Sequence, residues 1–182
     1  MPRAMNFWGR IPGMALAALL GLGAGSAAAQ EWIGTFGDWN AFRATVDGKQ
    51  VCYMSSTPLD MEPKTLRRGA AYVRVTREGE AGVTPEARQW RDAVSVVPGY
   101  LVEAEGNAVV IVDNAEFRMR PAGGAAGAVS PAPAQDQTMV RAMIAGTRMV
   151  VRAASGRGTQ STDTYSLTGF TAAHNAMGLS CR

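Results

Sequence analysis

The residue types that could do chemistry in this chain are few, and they lack partners at a catalytic spacing. A serine-type hydrolase needs a histidine base and an orienting carboxylate, and the single histidine, His174, lies on a predicted C-terminal helix face that favours solvent. The acidic pairs Asp60/Glu62 and Glu103/Glu105 are the residue types of two-carboxylate catalysis, but they lie near turns or on strand edges, where solvated charges are expected. We therefore predict no catalytic residue, metal ion or cofactor, and a protein that is not an enzyme.

The two cysteines, Cys52 and Cys181, are the next reactive residues. They lie in no CxxC, CxxCH or zinc-like spacing. Because the N-terminus predicts export to an oxidising compartment, the even pair favours one disulfide, and two separate buried thiols are the alternative. A disulfide here would join an early strand to the C-terminus and close nearly the whole domain into a loop.

Clusters of positive charge favour binding over catalysis. If the fold brings them together, they are suited to phosphate, lipid head groups or acidic glycans, and ordinary solvated loop charge is the alternative. Trp90, between Arg88 and Arg91, is either an anchor on a binding surface or a core residue. The first cluster consists of Lys64, Arg67 and Arg68, and the second of Arg148, Arg152 and Arg157.

The N-terminus has the features of a secretory signal peptide. Arg3 and Arg10 precede a short apolar run over 11–25, and the Ala27-x-Ala29 sequence predicts cleavage after Ala29. The run is too short and too rich in glycine and alanine for a membrane-spanning helix. We expect residues 30–182 to form one periplasmic or secreted domain. Its net charge of about +1 removes the main reason to expect nucleic acid as a partner.

The elements that must position these residues are mostly β-strands. Short stretches of alternating apolar and polar residues are separated by Pro-Gly, Gly-Asn and Asp-Asn turns, and Asp47-Gly48 predicts a tight hairpin. This pattern predicts a mainly β, antiparallel sandwich or barrel-like domain. A helix over 138–145, capped by Asp136, and another over 168–177 are expected near the C-terminus. The Gly/Ala/Pro-rich segment 121–133 is predicted to be an exposed, flexible loop.

Several short motifs occur in a specific order along the chain, although none is specific alone. They are Phe36-Gly-Asp-Trp39, Val51-Cys52-Tyr53-Met54, the 58–68 loop before Ala71-Tyr72-Val73, Val94-Ser-Val-Val97, Met143-Ile-Ala-Gly146, and Thr162-Asp-Thr-Tyr165-Ser-Leu-Thr-Gly169-Phe170 before Cys181. In this order they resemble the invasion-associated locus B family of alphaproteobacteria. The resemblance implies a β-rich envelope or secreted protein without known catalytic residues, associated in pathogenic members with host-cell entry. It also favours the Cys52–Cys181 pairing, because the additional early cysteine of many members is absent here.

Two functions of different classes follow from the sequence. The first is binding, to an envelope component or a host surface, with peripheral membrane contact and with Lys64, Arg67, Arg68 and Trp90 as the predicted binding residues. The second is a periplasmic carrier that holds a small apolar or lipid ligand inside the β domain. A continuous internal cavity would favour the carrier.

Overall fold

The computed structural model describes residues 30–46, 49–79, 89–103, 108–122 and 127–181. The predicted signal peptide and the Asp47-Gly48 turn lie outside these ranges. Strands and two helices follow each other in the order β1 (Gln30–Phe36), β2 (Trp39–Val46), β3 (Lys49–Ser56), β4 (Asp60–Glu62), β5 (Tyr72–Gly79), β6 (Trp90–Val97), β7 (Ala108–Val112), β8 (Ala115–Pro121), β9 (Ala128–Val129), α1 (Pro133–Ala145), β10 (Arg148–Ala154), β11 (Gln160–Ser166) and α2 (Phe170–Ser180).

The strands form one antiparallel sheet, which confirms the predicted fold class. Their order is β1-β2-β3-β5-β6-β9-β8-β7-β10-β11-β4, so β1 and β4 are the edges. The strands β2 and β3 pair as a hairpin, with Val46 opposite Lys49, as the Asp-Gly signal predicts. Alternation along β2 buries Trp39 and Ala41 on one face, because successive side chains point to opposite sides of a sheet.

The first strands of the sheet and the last ones contact each other across a shared core. The indole nitrogen of Trp39 in β2 donates to the carbonyl oxygen of Ser166 in β11 at 3.1 Å. Trp39 also meets Phe170 edge-on, with ring centroids 4.8 Å apart. Gly169, which precedes α2, has φ +86°, and a Cβ there would lie 1.9 Å from the Phe36 carbonyl oxygen. Only glycine permits this close approach between the two segments.

The helix α1 begins five residues before the predicted start, at Pro133. Proline at the first helical position has a backbone angle suited to the helix and lacks an N–H that would need a partner. Asp136 is therefore a buried residue inside the helix and not its cap, and one carboxylate oxygen accepts the Val94 backbone N–H at 2.9 Å. Burial raises the pKa of Asp136. The side chain fastens α1 to β6.

The segment 121–133 differs from the exposed loop that its composition predicts. Ala128–Val129 forms β9, which bridges β6 and β8, and Ala128 is fully buried. Alanine and glycine are small enough to bring this backbone close to the sheet, and a Cβ at Gly127 would lie 2.0 Å from the Val96 carbonyl oxygen. Residues 123–126 lie outside the described ranges.

The helix α2 is attached to the sheet by its inner face and by a covalent bond at its end. Phe170, Ala173 and Met177 are buried, and the Cys52–Cys181 disulfide is present, with the Cα atoms 6.0 Å apart. The pairing predicted from compartment and cysteine count is confirmed. Neither helix of the described chain has the length and hydropathy that a membrane span requires.

Candidate anion-binding cleft

Arg68 lies beneath the surface and not on it. Its guanidinium makes a two-pronged ion pair with Asp163 of β11, with Nη1 2.7 Å from Oδ2. Only 4% of the Arg68 side chain and 1% of the Asp163 side chain are exposed. Arg68 Nη1 also donates to the Pro98 carbonyl oxygen at 2.9 Å. The prediction that Arg68 binds a surface ligand therefore gives way to a structural role, because its donors are already used inside the protein.

Tyr100 continues this buried polar network toward the surface. Its hydroxyl group donates to the Ala153 carbonyl oxygen at 3.0 Å and lies 2.6 Å from Ser161 Oγ. The Arg68 guanidinium lies 6.0 Å from the centroid of the Tyr100 ring, within cation–π range. Burial raises the pKa of Tyr100. These contacts fix the ring between the 58–68 loop and the strands β10 and β11.

Backbone contacts join the loops above this network. Gly69 N donates to the Gly99 carbonyl oxygen at 2.9 Å, and Gly99 has φ +82°, where a Cβ would lie 2.3 Å from Gly69 O. Gly156 N donates to Leu101 O at 3.3 Å. Three loops, before β5, after β6 and between β10 and β11, are thus held together by their own main chains.

A surface cleft of about 380 Å³ lies where these loops meet. Arg67 and Arg157 line it from opposite segments of the chain, together with Leu66, Tyr100 and Leu101. Both arginines are exposed, and neither pairs with a carboxylate in the part of the chain that the structure describes. The cleft is therefore lined by one cation from each of the two clusters that the sequence indicates. Backbone hydrogen bonds hold the loops that carry them together.

The remaining predicted binding residues lie elsewhere. Lys64 forms an exposed ion pair with Asp60, four residues earlier in the chain. Trp90 is partly buried and packs against the core, so it is not an exposed anchor. Arg148 and Arg152 line a separate cleft beside Asp113. The fold thus brings together only part of each predicted cationic cluster.

Comparison with known families tests the resemblance. The family model for the invasion associated locus B (IalB) protein matches residues 39–178. The chain belongs to the IalB family. Its fold is similar to the crystal structure of invasion associated protein B from Bartonella henselae, with a TM-score of 0.52 and 19% identity over 80% of this chain and 94% of that one. Comparison with curated protein sequences gives no match.

His174 of this IalB-family protein is not on a solvated helix face. Its Nε2 lies 2.6 Å from Asp92 Oδ2 and 3.2 Å from Arg77 Nη2, and 15% of the side chain is exposed. Burial alone would raise the pKa of Asp92, but hydrogen bonds from His174 and Arg77 and the charge of Arg77 lower it to about 2. No serine or thiol hydrogen-bonds to the ring within the described ranges.

Across the described ranges, no group of three histidine, cysteine or acidic side chains is placed to hold a metal ion. The sequence does contain one signal for the buried Arg68–Asp163 pair, which is the alternation of β11. In β11, Ser161, Asp163 and Tyr165 alternate on one face with apolar Leu167 after them. A carboxylate on an inward face requires a buried cation, since a lone buried charge is too costly.

Proposed function

We propose that this IalB-family protein is a non-enzymatic envelope protein, exported by its signal peptide to the periplasm or beyond, that binds an anionic group between Arg67 and Arg157. One observation carries the proposal. Two exposed arginines without a carboxylate partner in the described chain line one cleft, and they come from segments that backbone hydrogen bonds hold together.

The chemistry of the pair suits an oxyanion. Guanidinium groups bind phosphate, sulfate and carboxylate through parallel N–H donors, and two of them on one anion add both geometry and charge. Because backbone hydrogen bonds already hold the loops in place, binding costs less conformational entropy than it would on flexible loops. Because the exported chain is almost neutral overall, attraction must come from this local pair and not from the net charge.

The surroundings of His174 support a binding role over catalysis. The imidazole of His174 hydrogen-bonds a paired carboxylate, and the described lining of the cleft contains arginines but no histidine or carboxylate. The family takes its name from an invasion-associated locus. A host surface is therefore one source of the anionic group, and the cell's own envelope is the other.

The carrier hypothesis has less support from the interior. The largest inward side chains, among them Trp39, Tyr165 and Phe170, are less than 2% exposed, and they belong to one contiguous core cluster. A β domain that carries an apolar ligand needs an internal cavity, and here these side chains occupy the core.

Nuclear magnetic resonance titration tests the proposal directly. We expect the Nε–Hε signals of Arg67 and Arg157 to shift together and saturably when inorganic phosphate or a sulfated heparin oligosaccharide is added. The double variant Arg67→Gln/Arg157→Gln should bind about tenfold or more weakly, because each charge-assisted hydrogen bond contributes about 1.5 to 3 kcal/mol.

The matched control is Arg148→Gln/Arg152→Gln, which removes the same charge from the separate cleft beside Asp113. It should retain the affinity of the unmodified protein. The proposal is overturned if neither probe shifts the two arginines, or if the control loses as much affinity as the cleft variant.

A further inference from the structure

We propose that the anionic group is the phosphate of an anionic phospholipid, and that Leu101 enters the membrane surface beside it. This inference rests on the proposed function and adds the class of ligand. The cleft is not uniformly polar: Leu101 and Leu66 line it together with Arg67 and Arg157. A phospholipid presents a negative phosphodiester next to hydrocarbon, which matches this combination of side chains.

Leu101 is held in an exposed position by its neighbours. It is 62% exposed, while the adjacent Tyr100 is fixed through its hydroxyl group to Ala153 O. The Leu101 carbonyl oxygen accepts the Gly156 N–H, and Val102 pairs with Ser155 in an isolated bridge. The backbone from the Leu101 carbonyl onward is therefore fixed to the β10–β11 connection, and the residue before it is fixed to β10 by its side chain. The leucine projects from a structured loop.

The position relative to the arginines favours a membrane over a soluble polyanion. A sulfated glycan offers charges and hydroxyl groups, and it would gain little from an exposed leucine. At a membrane the same leucine buries apolar surface, at about 25 cal/mol per Å². Each basic residue near an anionic surface adds about 1 kcal/mol.

Two cations and one leucine predict weak, reversible attachment. Stable membrane anchoring takes stronger signals than these, so we expect the protein to bind the membrane transiently. Binding should also weaken steeply with salt, because the electrostatic part is screened within about 8 Å at physiological ionic strength.

Vesicle co-sedimentation tests the inference. The purified protein should sediment with vesicles of phosphatidylglycerol and phosphatidylcholine and not with phosphatidylcholine alone. Removing both charges in Arg67→Gln/Arg157→Gln should weaken binding about 30-fold. Leu101→Ser should weaken it about tenfold, yet leave the phosphate-induced shifts of Arg67 and Arg157 unchanged.

Leu179→Ser is the matched control, since Leu179 is 63% exposed but lies on α2, away from the cleft. It should bind vesicles like the unmodified protein. If inorganic phosphate or heparin binds at the arginines but vesicles do not, or if Leu101→Ser binds vesicles normally, the lipid inference is overturned and the proposed function stands. If neither inorganic phosphate nor heparin binds at the arginines, both are overturned.

Discussion

Two arginine–aspartate pairs hold this molecule together, and they differ in what surrounds them. Arg68–Asp163 is almost completely buried below the cleft, whereas Arg77–Asp92 keeps 17% and 13% of its side chains exposed beside α2. The first pair joins residues 95 apart in sequence. The second joins directly opposed residues of neighbouring strands.

The charges near each pair show which cations already have a carboxylate partner. Beside α2, Arg77 and His174 both contact Asp92, so Arg77 already has a carboxylate partner. At the cleft, Asp163 is occupied by Arg68, and the exposed Arg67 and Arg157 have no carboxylate partner in the described chain. An arginine in a sequence cluster is therefore exposed or structural depending on the carboxylate that the fold brings to it.

The largest expected effect on stability comes from removing the disulfide that attaches the end of α2 to β3. Cys52→Ala with Cys181→Ala removes a cross-link across 129 residues, and in the chain-entropy model this should lower the free energy of unfolding by about 4 to 5 kcal/mol. Urea denaturation measures the loss, and reduction of the unmodified protein should reproduce it. A change below about 1 kcal/mol would show that side-chain packing alone holds α2.

Breaking the buried pair should come next in size. Asp163→Asn leaves the Arg68 guanidinium buried without its counter-charge, so the free energy of unfolding should fall by about 3 to 5 kcal/mol. The matched change Asp92→Asn should cost about 1 to 2 kcal/mol, since Arg77 retains access to water. Urea denaturation at pH 7 compares them, and equal losses would remove the distinction between the two regions.

The α2 region should also respond to acid. The folded pKa of Asp92, about 2, lies below its ordinary value of 3.8, so the ionised form contributes stability above pH 4 that is lost as the pH falls toward 2. We expect this loss to be about 1 to 2 kcal/mol, after allowance for partial exposure. In Asp92→Asn this part of the acid dependence should disappear when unfolding is followed from pH 5 to pH 2. An unchanged acid profile would assign the dependence to other carboxyl groups.

The smallest effect on stability belongs to the cleft. Arg67→Gln/Arg157→Gln should change the free energy of unfolding by no more than about 0.5 kcal/mol, because exposed residues without partners contribute little to folding. Thermal denaturation provides the measurement. A loss of several kcal/mol would indicate that these arginines stabilise the fold in the way that Arg68 does.

Local patterns predicted much of the fold, and they failed where the elements are short or depend on distant contacts. Alternation identified most of the long strands, and Asp47-Gly48 identified the β2–β3 hairpin, since both signals lie within a few residues of chain. The strands β4 and β9 are too short to show a period. Asp136 has the character of a helix cap, and only its contact with the Val94 N–H shows that it is an anchor inside α1.

The sequence by itself determined the antiparallel β architecture and the family and favoured the disulfide, because alternation, motif order and cysteine count are properties of the linear chain. The tertiary structure decided which cations are available to a ligand. Arg67 and Arg68 are neighbours in sequence, yet one lines the cleft and the other meets Asp163 in the interior. The cost of burying a charge depends on the partner that the fold supplies, and that partner is distant in sequence.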